Sequence, residues 1–412
     1  VVQKPVGEVT FIANDIDQRP KIKSTFIIAE APYPKWYGIG EVSDSIELTL
    51  ARFDDFKFIG AVSDRNFPLN DQRKADYHLL ISAYPRGDNV RMYGKLIREK
   101  DGVILWSSEQ LFTTPASLDN RNVPKIAGKF FAQLASPYGV IYTDLELQNE
   151  AVLDRQKKKL PCLIATYRFN ENRSKENFIK ARACLDKLID KRSKRPSVYA
   201  AMTILKLQQY VSLGADYEID HLSTATKMAK LALRYNPQSA RAHQANFRVH
   251  RINNHQDLAK AAIARALILN PYDTSVLGDY GSWLIAQGQY EKGKEAIHQA
   301  ETILGTSPNQ FEVAKFIAHE MLGEFTKGNE IASHLDYAHS PLNALCIALA
   351  AHRQNNNRMS KSAIEFIKRS FPKLAMKPRT YLVKSDFSQL IAEELANKLL
   401  LVQQAVAAAN QN

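Results

Sequence analysis

The most constraining feature of this sequence is a 34-residue spacing in its second half. The dipeptides Asn236-Pro237 and Asn270-Pro271 each end a segment of helical periodicity, and their prolines lie 34 residues apart. Proline cannot continue a helix, so each dipeptide marks the end of one helical unit. Small residues recur at helical spacing before each dipeptide: Ala225, Ala229 and Ala232, then Ala259, Ile263 and Ala266. Small side chains suit the close crossing of two helices, so the pattern predicts stacked helical hairpins.

This spacing resembles that of tetratricopeptide repeats, which build an all-α solenoid. The repeats beginning at Ala240 and Thr274 match the pattern best, and pairs of helices continue beyond Pro308. A final amphipathic segment from Asp386 to Ala408 is expected to cap the array, because a terminal repeat needs a different outer face.

The pattern in the first part of the chain predicts a different structure, a small α/β domain. A strand at Ser24–Ala29, a helix at Gly40–Phe53 and a strand at Phe56–Ile59 have the length of a parallel crossover. Three further β-rich runs, separated by turn residues, predict two hairpins within residues 77–112. An amphipathic helix follows from Val123 to Leu134. The predicted fold is a small mixed sheet with flanking helices.

At 412 residues the chain is too long for one ordinary hydrophobic core. We predict an α/β amino-terminal domain followed by an all-α solenoid of tetratricopeptide-like repeats. The predicted boundaries are a tether or edge strand at 1–23, the α/β domain at 24–150, a charged linker at 151–160, the repeats with their capping helix at 161–408 and a disordered tail at 409–412.

The amino-terminal part resembles the TolB amino-terminal-like domain over about residues 24–142. The most specific segment carries Ala75-Asp76-Tyr77, Gly87-Asp88 and Leu105-Trp106 where that family has such residues. Its entry loop differs, because APYPKWY stands where relatives have a polar segment, so no ligand preference is transferred. The resemblance implies one of two settings: the extracytoplasmic part of a CadC/ToxR-like, membrane-anchored winged-helix regulator, or the region after a class III adenylate cyclase domain.

Charge is unevenly distributed along the chain. Residues 1–150 carry 18 Lys and Arg against 20 Asp and Glu, whereas residues 151–412 carry 37 against 23. The basic half predicts an acidic peptide, protein or other anionic ligand as partner, with a solvated lysine-rich surface as the alternative. No apolar run reaches the roughly 18 residues that span a bilayer. The cysteines are three in number, far apart and in no CxxC arrangement, so we expect no zinc site, and their count excludes a disulfide framework.

Catalytic signatures are missing from the sequence. It contains no GxSxG, no HExxH and no glycine-rich phosphate loop followed by lysine. We therefore expect a protein that is not an enzyme and that uses no cofactor or metal.

Two candidate binding sites remain. Tyr33, Trp36 and Tyr37 follow the first strand, at the position where open α/β sheets place ligand crevices. Packing under the neighbouring helix is the alternative for these rings. The second candidate is the concave face of the repeats, where helical counting from Ala240 gives four inward positions, Arg241, Gln244, Arg248 and Arg251. Arginine forks bind carboxylate or phosphate, and a solvated basic face is the alternative.

These observations favour the sensory or scaffolding region of a bacterial transcriptional regulator, which transmits a signal to an effector domain outside this sequence. The alternatives are a nucleic-acid-binding module that uses the basic half, and the non-catalytic tail of a nucleotide cyclase. Nucleic acid is the weaker alternative, because the basic residues lack interleaved aromatic side chains for base stacking. A homodimer is compatible with the sequence. The resemblance implies the periplasm, with the cytoplasm as the alternative.

Overall fold

The computed structural model describes residues 19–28, 39–62, 74–86, 89–112, 123–151, 161–213 and 218–409. Within these ranges the α/β domain contains five strands and three helices. The strands are β1 (Lys21–Ile28), β2 (Lys57–Val62), β3 (Tyr77–Arg86), β4 (Asn89–Arg98) and β5 (Ile104–Phe112). The helices are α1 (Ile39–Ala51), α2 (Val123–Ala135) and α3 (Val140–Ala151).

The five strands form one mixed sheet in the order β2-β1-β3-β4-β5. Strand β1 pairs in parallel with both β2 and β3, whereas β3, β4 and β5 form antiparallel hairpins. The predicted crossover and the two predicted hairpins are therefore confirmed. Alternate residues of β3 are buried, and Trp106 of β5 packs edge-on against Phe130 of α2 with ring centroids 5.1 Å apart.

The second part of the chain is a series of helical hairpins. They are α4 (Pro161–Glu171) with α5 (Lys175–Asp190), α6 (Pro196–Leu213) with α7 (Glu218–Tyr235), α8 (Ala240–Ile252) with α9 (Gln256–Leu269), α10 (Thr274–Ala286) with α11 (Tyr290–Leu304), α12 (Asn309–Leu322) with α13 (Phe325–His334), and α14 (Pro341–Arg353) with α15 (Asn357–Ser370). Two short helices, α16 (Pro372–Met376) and α17 (Pro378–Lys384), precede the final helix α18 (Gln389–Ala409).

The small residues predicted at helix crossings lie at those crossings. The alanines of α7 and α9 in the repeat pattern are fully buried, as is Ile263. Gly281 of α10 shows how close the helices come: a Cβ atom built there would lie 2.7 Å from the carbonyl oxygen of Gly293 in α11. The predicted fold class, a small mixed α/β domain followed by a helical solenoid, is confirmed.

The cysteines correct one expectation. Cys162 and Cys184 form a disulfide that joins α4 to α5, with Cα atoms 5.1 Å apart, and Cys346 is buried and free. The two half-cystines lie at equal sequence distances from the turn between α4 and α5. In an antiparallel helical hairpin such positions face each other, so separation along the chain did not exclude pairing.

The α/β domain and the repeats share one continuous hydrophobic core. The asparagines that end the two repeat units both contact the first domain: Asn236 Nδ2 donates to Asp54 Oδ1 at 3.4 Å, and Asn270 Nδ2 donates to the Arg52 carbonyl at 3.5 Å. Gly128 of α2 lies so close to the Tyr272 ring that a Cβ atom there would be 2.1 Å from it. The repeats therefore provide a docking surface for the α/β domain.

Several predicted segments lie outside the described residues. These are most of the amino-terminal tether, the residues at 152–160 in the predicted charged linker, and the last three residues of the chain. None of the helices within the described ranges is long and apolar enough to cross a membrane.

Candidate functional site

The first helices of successive hairpins line a central cavity of about 230 Å³. Helices α6, α8, α10 and α12 supply most of its wall, and the rest comes from the end of α4 with the turn after it, the start of α14, and α17 with the residues after it. The apolar part of the wall includes Leu207, Ile285 and Val313. First helices lie on the concave side of stacked hairpins, so the cavity occupies the position of the predicted groove.

The array closes around this cavity through contacts between distant hairpins. In the turn between α4 and α5, the Arg173 N–H donates to the carbonyl oxygen of His339 at 3.0 Å. In the same turn, Glu171 Oε2 accepts a hydrogen bond from the Asn309 N–H at 3.0 Å. The first hairpin thus touches the starts of the fifth and sixth hairpins, which surrounds the cavity with protein.

A second set of contacts brings the carboxyl-terminal segment onto the cavity. The Ser388 N–H donates to the carbonyl oxygen of Ala286 at 2.9 Å, and Asp386 forms an ion pair with Arg251 of α8. Asp386 itself has a φ of 75°. The left-handed conformation suits the sharp turn between α17 and α18. This turn places the Asp386 carboxylate at the cavity wall.

Arg248 lies on the same wall and is held by Asp279 of α10. Its Nε and Nη2 donate to the two carboxylate oxygens at 2.5 and 2.7 Å. Gln244 Nε2 also donates to Asp279 Oδ2, at 2.8 Å, and to the hydroxyl of Ser275. These bonds join neighbouring repeats, because the first helices of adjacent hairpins lie side by side.

The four predicted groove residues therefore have two different environments. Arg248 and Arg251 line the cavity, but Arg241 and Gln244 are almost fully buried and do not line it. This corrects the predicted open strip. The helical counting identified the inward face correctly, but it could not show that neighbouring helices cover the part of that face near the α/β domain. Binding of a partner by these residues stays a prediction.

Arg241 forms part of the interface between the two domains. Its Nε lies 2.9 Å from Asp273 Oδ2, and its guanidinium packs 5.6 Å from the centre of the Tyr167 ring. Asp55 of the α/β domain adds a further negative charge nearby and accepts a hydrogen bond from the Tyr142 hydroxyl. The buried cation is thus shared by acids from both domains.

Asp54 is the second acidic group at this interface. Its pKa is raised to about 6, mainly by burial and also by the charge of Asp55, while a hydrogen bond from Ser239 and the charge of Arg241 act in the opposite direction. Its Oδ2 atom is buried and has no hydrogen-bond partner among the described residues. Ser239 also caps α8, so Asp54 contacts the residue at which that helix begins.

Arg173 is a cavity residue that the sequence analysis did not identify. Among the residues that the structure describes, no carboxylate forms an ion pair with its guanidinium. Burial lowers its pKa, and the like charge of Arg248 lowers it further, whereas Tyr381 and Glu171 act in the opposite direction. Glu171 thus attracts the guanidinium but forms no ion pair with it, and its carboxylate accepts a hydrogen bond from the Asn309 N–H. No local pattern marks Arg173, since it lies in a turn between two helices.

The charged lining of the cavity is unbalanced. Four cationic side chains line it, Arg173, Arg248, Arg251 and Lys384, together with the two carboxylates of Asp279 and Asp386. Lys384 also lies 5.7 Å from the centre of the Tyr210 ring. Asp279 and Asp386 are paired with Arg248 and Arg251, and Lys384 has a further interaction of its own. Arg173 is therefore the lining cation that pairs with no carboxylate among the described residues.

The other candidate site falls outside the described residues. Tyr33, Trp36 and Tyr37 all lie between residues 29 and 38, so their role as a ligand-binding loop stays a prediction. Across the described part of the chain, no group of three or more His, Cys, Asp or Glu side chains has an arrangement that could hold a metal ion.

Comparison with known proteins finds similarity only at the level of structure. No family model matches the sequence, and no curated protein matches it significantly. PilF of Pseudomonas aeruginosa aligns with 50% of this chain and 89% of its own, at 19% identity and a TM-score of 0.33. PilW, a widely conserved type IV pilus biogenesis factor, aligns with 50% of this chain and 92% of its own, at 15% identity and a TM-score of 0.33. Likenesses this weak carry no functional inference.

The architecture of this chain and its cavity are therefore described from its own contacts and not from these neighbours. A small mixed sheet docks on tetratricopeptide-like hairpins, and the hairpins line a cavity in which Arg173 has no carboxylate partner among the described residues.

Proposed function

We propose that this chain is the non-catalytic sensory region of a bacterial transcriptional regulator, and that the central cavity of its repeats binds an anionic ligand. The observation that carries the proposal is the charge of the cavity. The cavity lining includes Arg173, which pairs with no carboxylate within the described ranges, whereas Arg248 and Arg251 are paired, and the same space also has apolar walls. A concave site with a few convergent polar groups on an apolar wall is the usual form of a ligand-binding site.

Helix α8 provides the physical connection between the cavity and the α/β domain. Its first residues contact that domain, through the Ser239 cap and Arg241, and its last turns carry Arg248 and Arg251 at the cavity wall. A ligand bound in the cavity would contact the wall that carries these arginines and would bias the position of α8. We propose that this shift transmits the signal to the α/β domain and from there to an effector domain.

We further propose a periplasmic location, with the cytoplasm as the alternative. The disulfide between Cys162 and Cys184 supports the periplasm, because disulfides persist in oxidising compartments and are rare in the cytosol of most bacteria. The resemblance of the first domain to the TolB amino-terminal-like family supports the same location. Determining whether this region is exported in its native cell would test this part of the proposal.

The ligand-binding proposal is tested by filling the cavity without removing any ion pair. Ser282 lines the cavity on α10, and Ser282→Trp would occupy its space. Ser370→Trp, at the exposed end of α15, is the matched control. We would measure melting temperature against a panel of small anions, acidic peptides and neutral analogues. Anions should stabilise the parent chain and the control but not Ser282→Trp.

Two outcomes would contradict the proposal. The first is a panel in which neutral analogues stabilise the chain as strongly as anions do. The second is a Ser282→Trp chain that folds and still responds to anions as the parent does, because binding would then occur elsewhere.

A nucleic-acid-binding function has one observation in its favour. Three exposed cations of α7, Lys227, Lys230 and Arg234, surround a surface groove beside Tyr210, and no ion pair involves them within the described ranges. Such a surface would bind polyanions weakly, with steep dependence on salt concentration. Replacing the three by Ser should abolish that binding if this groove is the site, and leave binding in the cavity unchanged.

A further inference from the structure

We propose that the ligand of the central cavity is a small monocarboxylic acid with an apolar body, whose carboxylate is bound by Arg173. This inference rests on the proposed function, because it uses the same cavity, and it adds the ligand class and the residue that selects it. Neither the sequence pattern nor the comparisons point to Arg173.

The charge of the ligand follows from the pairing of the lining residues. Arg248 and Arg251 are already bonded to Asp279 and Asp386, whereas the Arg173 guanidinium has no carboxylate partner among the described residues. A single negative charge would match it. A dianion such as a phosphate monoester would bring a second charge close to two carboxylates on the same wall, which would repel it.

The geometry of guanidinium favours a carboxylate. Its planar N–H fork can form two parallel hydrogen bonds with the two oxygens of a carboxylate, a match that a lysine cannot make. Amide side chains of Asn170 and Gln310 also line the cavity and offer further donors. The backbone bond from Arg173 to His339 fixes the turn that carries this side chain.

The size and walls of the cavity define the rest of the ligand. Its volume is about 230 Å³, whereas an engineered cavity of about 150 Å³ holds a benzene molecule. The space thus suits a compact molecule rather than an extended peptide. Apolar side chains from three first helices line it, among them Leu207, Ile285 and Ile317. These side chains would pack against a short aliphatic or aromatic body.

The test uses three probes with the same alkyl chain, namely hexanoate, hexanamide and hexyl phosphate, and isothermal titration calorimetry on the whole chain. We expect hexanoate to bind most tightly. Arg173→Met keeps an apolar stem but removes the charge, and should weaken hexanoate binding by roughly tenfold to hundredfold. It should leave the weak binding of hexanamide unchanged. Arg358→Met removes an exposed charge of α15 and is the control, with parental affinity expected.

Several results would overturn the inference. They are equal hexanoate affinity in Arg173→Met and the parent, hexanamide binding as tight as hexanoate, and tighter binding of hexyl phosphate or of an acidic hexapeptide. If Arg173→Met does not fold, hexanoate binding is measured on Ser282→Trp instead. Binding that survives this filling of the cavity would also overturn the inference. Binding of the phosphate or the peptide in place of hexanoate refutes only this inference, whereas failure of every anion to bind refutes the proposed function as well.

Discussion

Replacing Arg241 tests whether this residue belongs to the domain interface rather than to a binding surface. Its side chain is 7% exposed, and its partner Asp273 is 1% exposed. Arg241→Met preserves the apolar stem that packs near Tyr167 but leaves Asp273 and Asp55 without their buried cation. Removing one partner of a buried ion pair costs about 3–5 kcal/mol, because the remaining charge is stranded. We expect a loss of that size in the free energy of unfolding.

Urea denaturation followed by circular dichroism would measure this loss, with Arg265→Met as the control. Arg265 is exposed on α9 and donates a hydrogen bond to Gln238, so its loss should cost about 0.5 kcal/mol or less. The double variant Arg241→Met with Asp273→Asn removes the stranded charge and should recover part of the stability. The asparagine can still cap α10, because its side-chain oxygen can accept from the Ser275 and Val276 N–H groups as Asp273 does.

A cost below about 1 kcal/mol for Arg241→Met would refute this reasoning, since surface substitutions have effects of that size. The same conclusion would follow if Asp273→Asn gave no recovery in the double variant. Either result would mean that Arg241 is solvated, and the residue would return to the candidate partner-binding surface.

Three further predictions follow from the structure. The pKa of Asp54 is raised to about 6 from 3.8, so its stabilising contribution is full below 3.8 and is lost as the pH rises through about 6. Asp54→Asn should flatten the dependence of the urea midpoint on pH in this window, whereas Asp190→Asn, at the exposed end of α5, should not; an unchanged profile would contradict the burial of Asp54. Gly128→Ala should loosen the docking of the α/β domain against Tyr272 and increase its cleavage in limited proteolysis, and unchanged cleavage would place this contact elsewhere. In the denatured, non-reduced chain only Cys346 should react with a thiol reagent, as mass spectrometry would show, and labelling of all three cysteines would exclude the disulfide.

The candidate site was only partly predictable from the sequence. Counting along α8 identified the side of the helix that carries Arg248 and Arg251, because helical periodicity is a local property. Some ion pairs formed by that helix could also be predicted from the sequence. Arg248 and Asp279 are 31 residues apart, close to one repeat length, and the first helices of adjacent repeats are neighbours. An acid near that offset in the next repeat is therefore a sequence signal for such a pair.

Other features had no such local signal. The pairing of Arg251 with Asp386 joins residues 135 apart, and it depends on the turn after α17. The position of Arg173 depends on the contact of its turn with His339 in a distant hairpin. The disulfide was missed for a different reason: the count of three cysteines excludes a framework, but it does not exclude one disulfide across an antiparallel hairpin with a third cysteine left free.

The sequence by itself determined the local architecture of this protein. Alternating apolar residues and turn residues define the strands, and the 34-residue spacing with small residues defines the hairpins, because both patterns reflect packing between segments that are near in sequence. Only the tertiary structure decided what the hairpins enclose. Closure of the array, docking of the α/β domain on Asn236 and Asn270, and isolation of Arg173 from any carboxylate partner among the described residues all arise from contacts between distant segments. Such contacts depend on the summed rotation from one hairpin to the next, which no single repeat encodes.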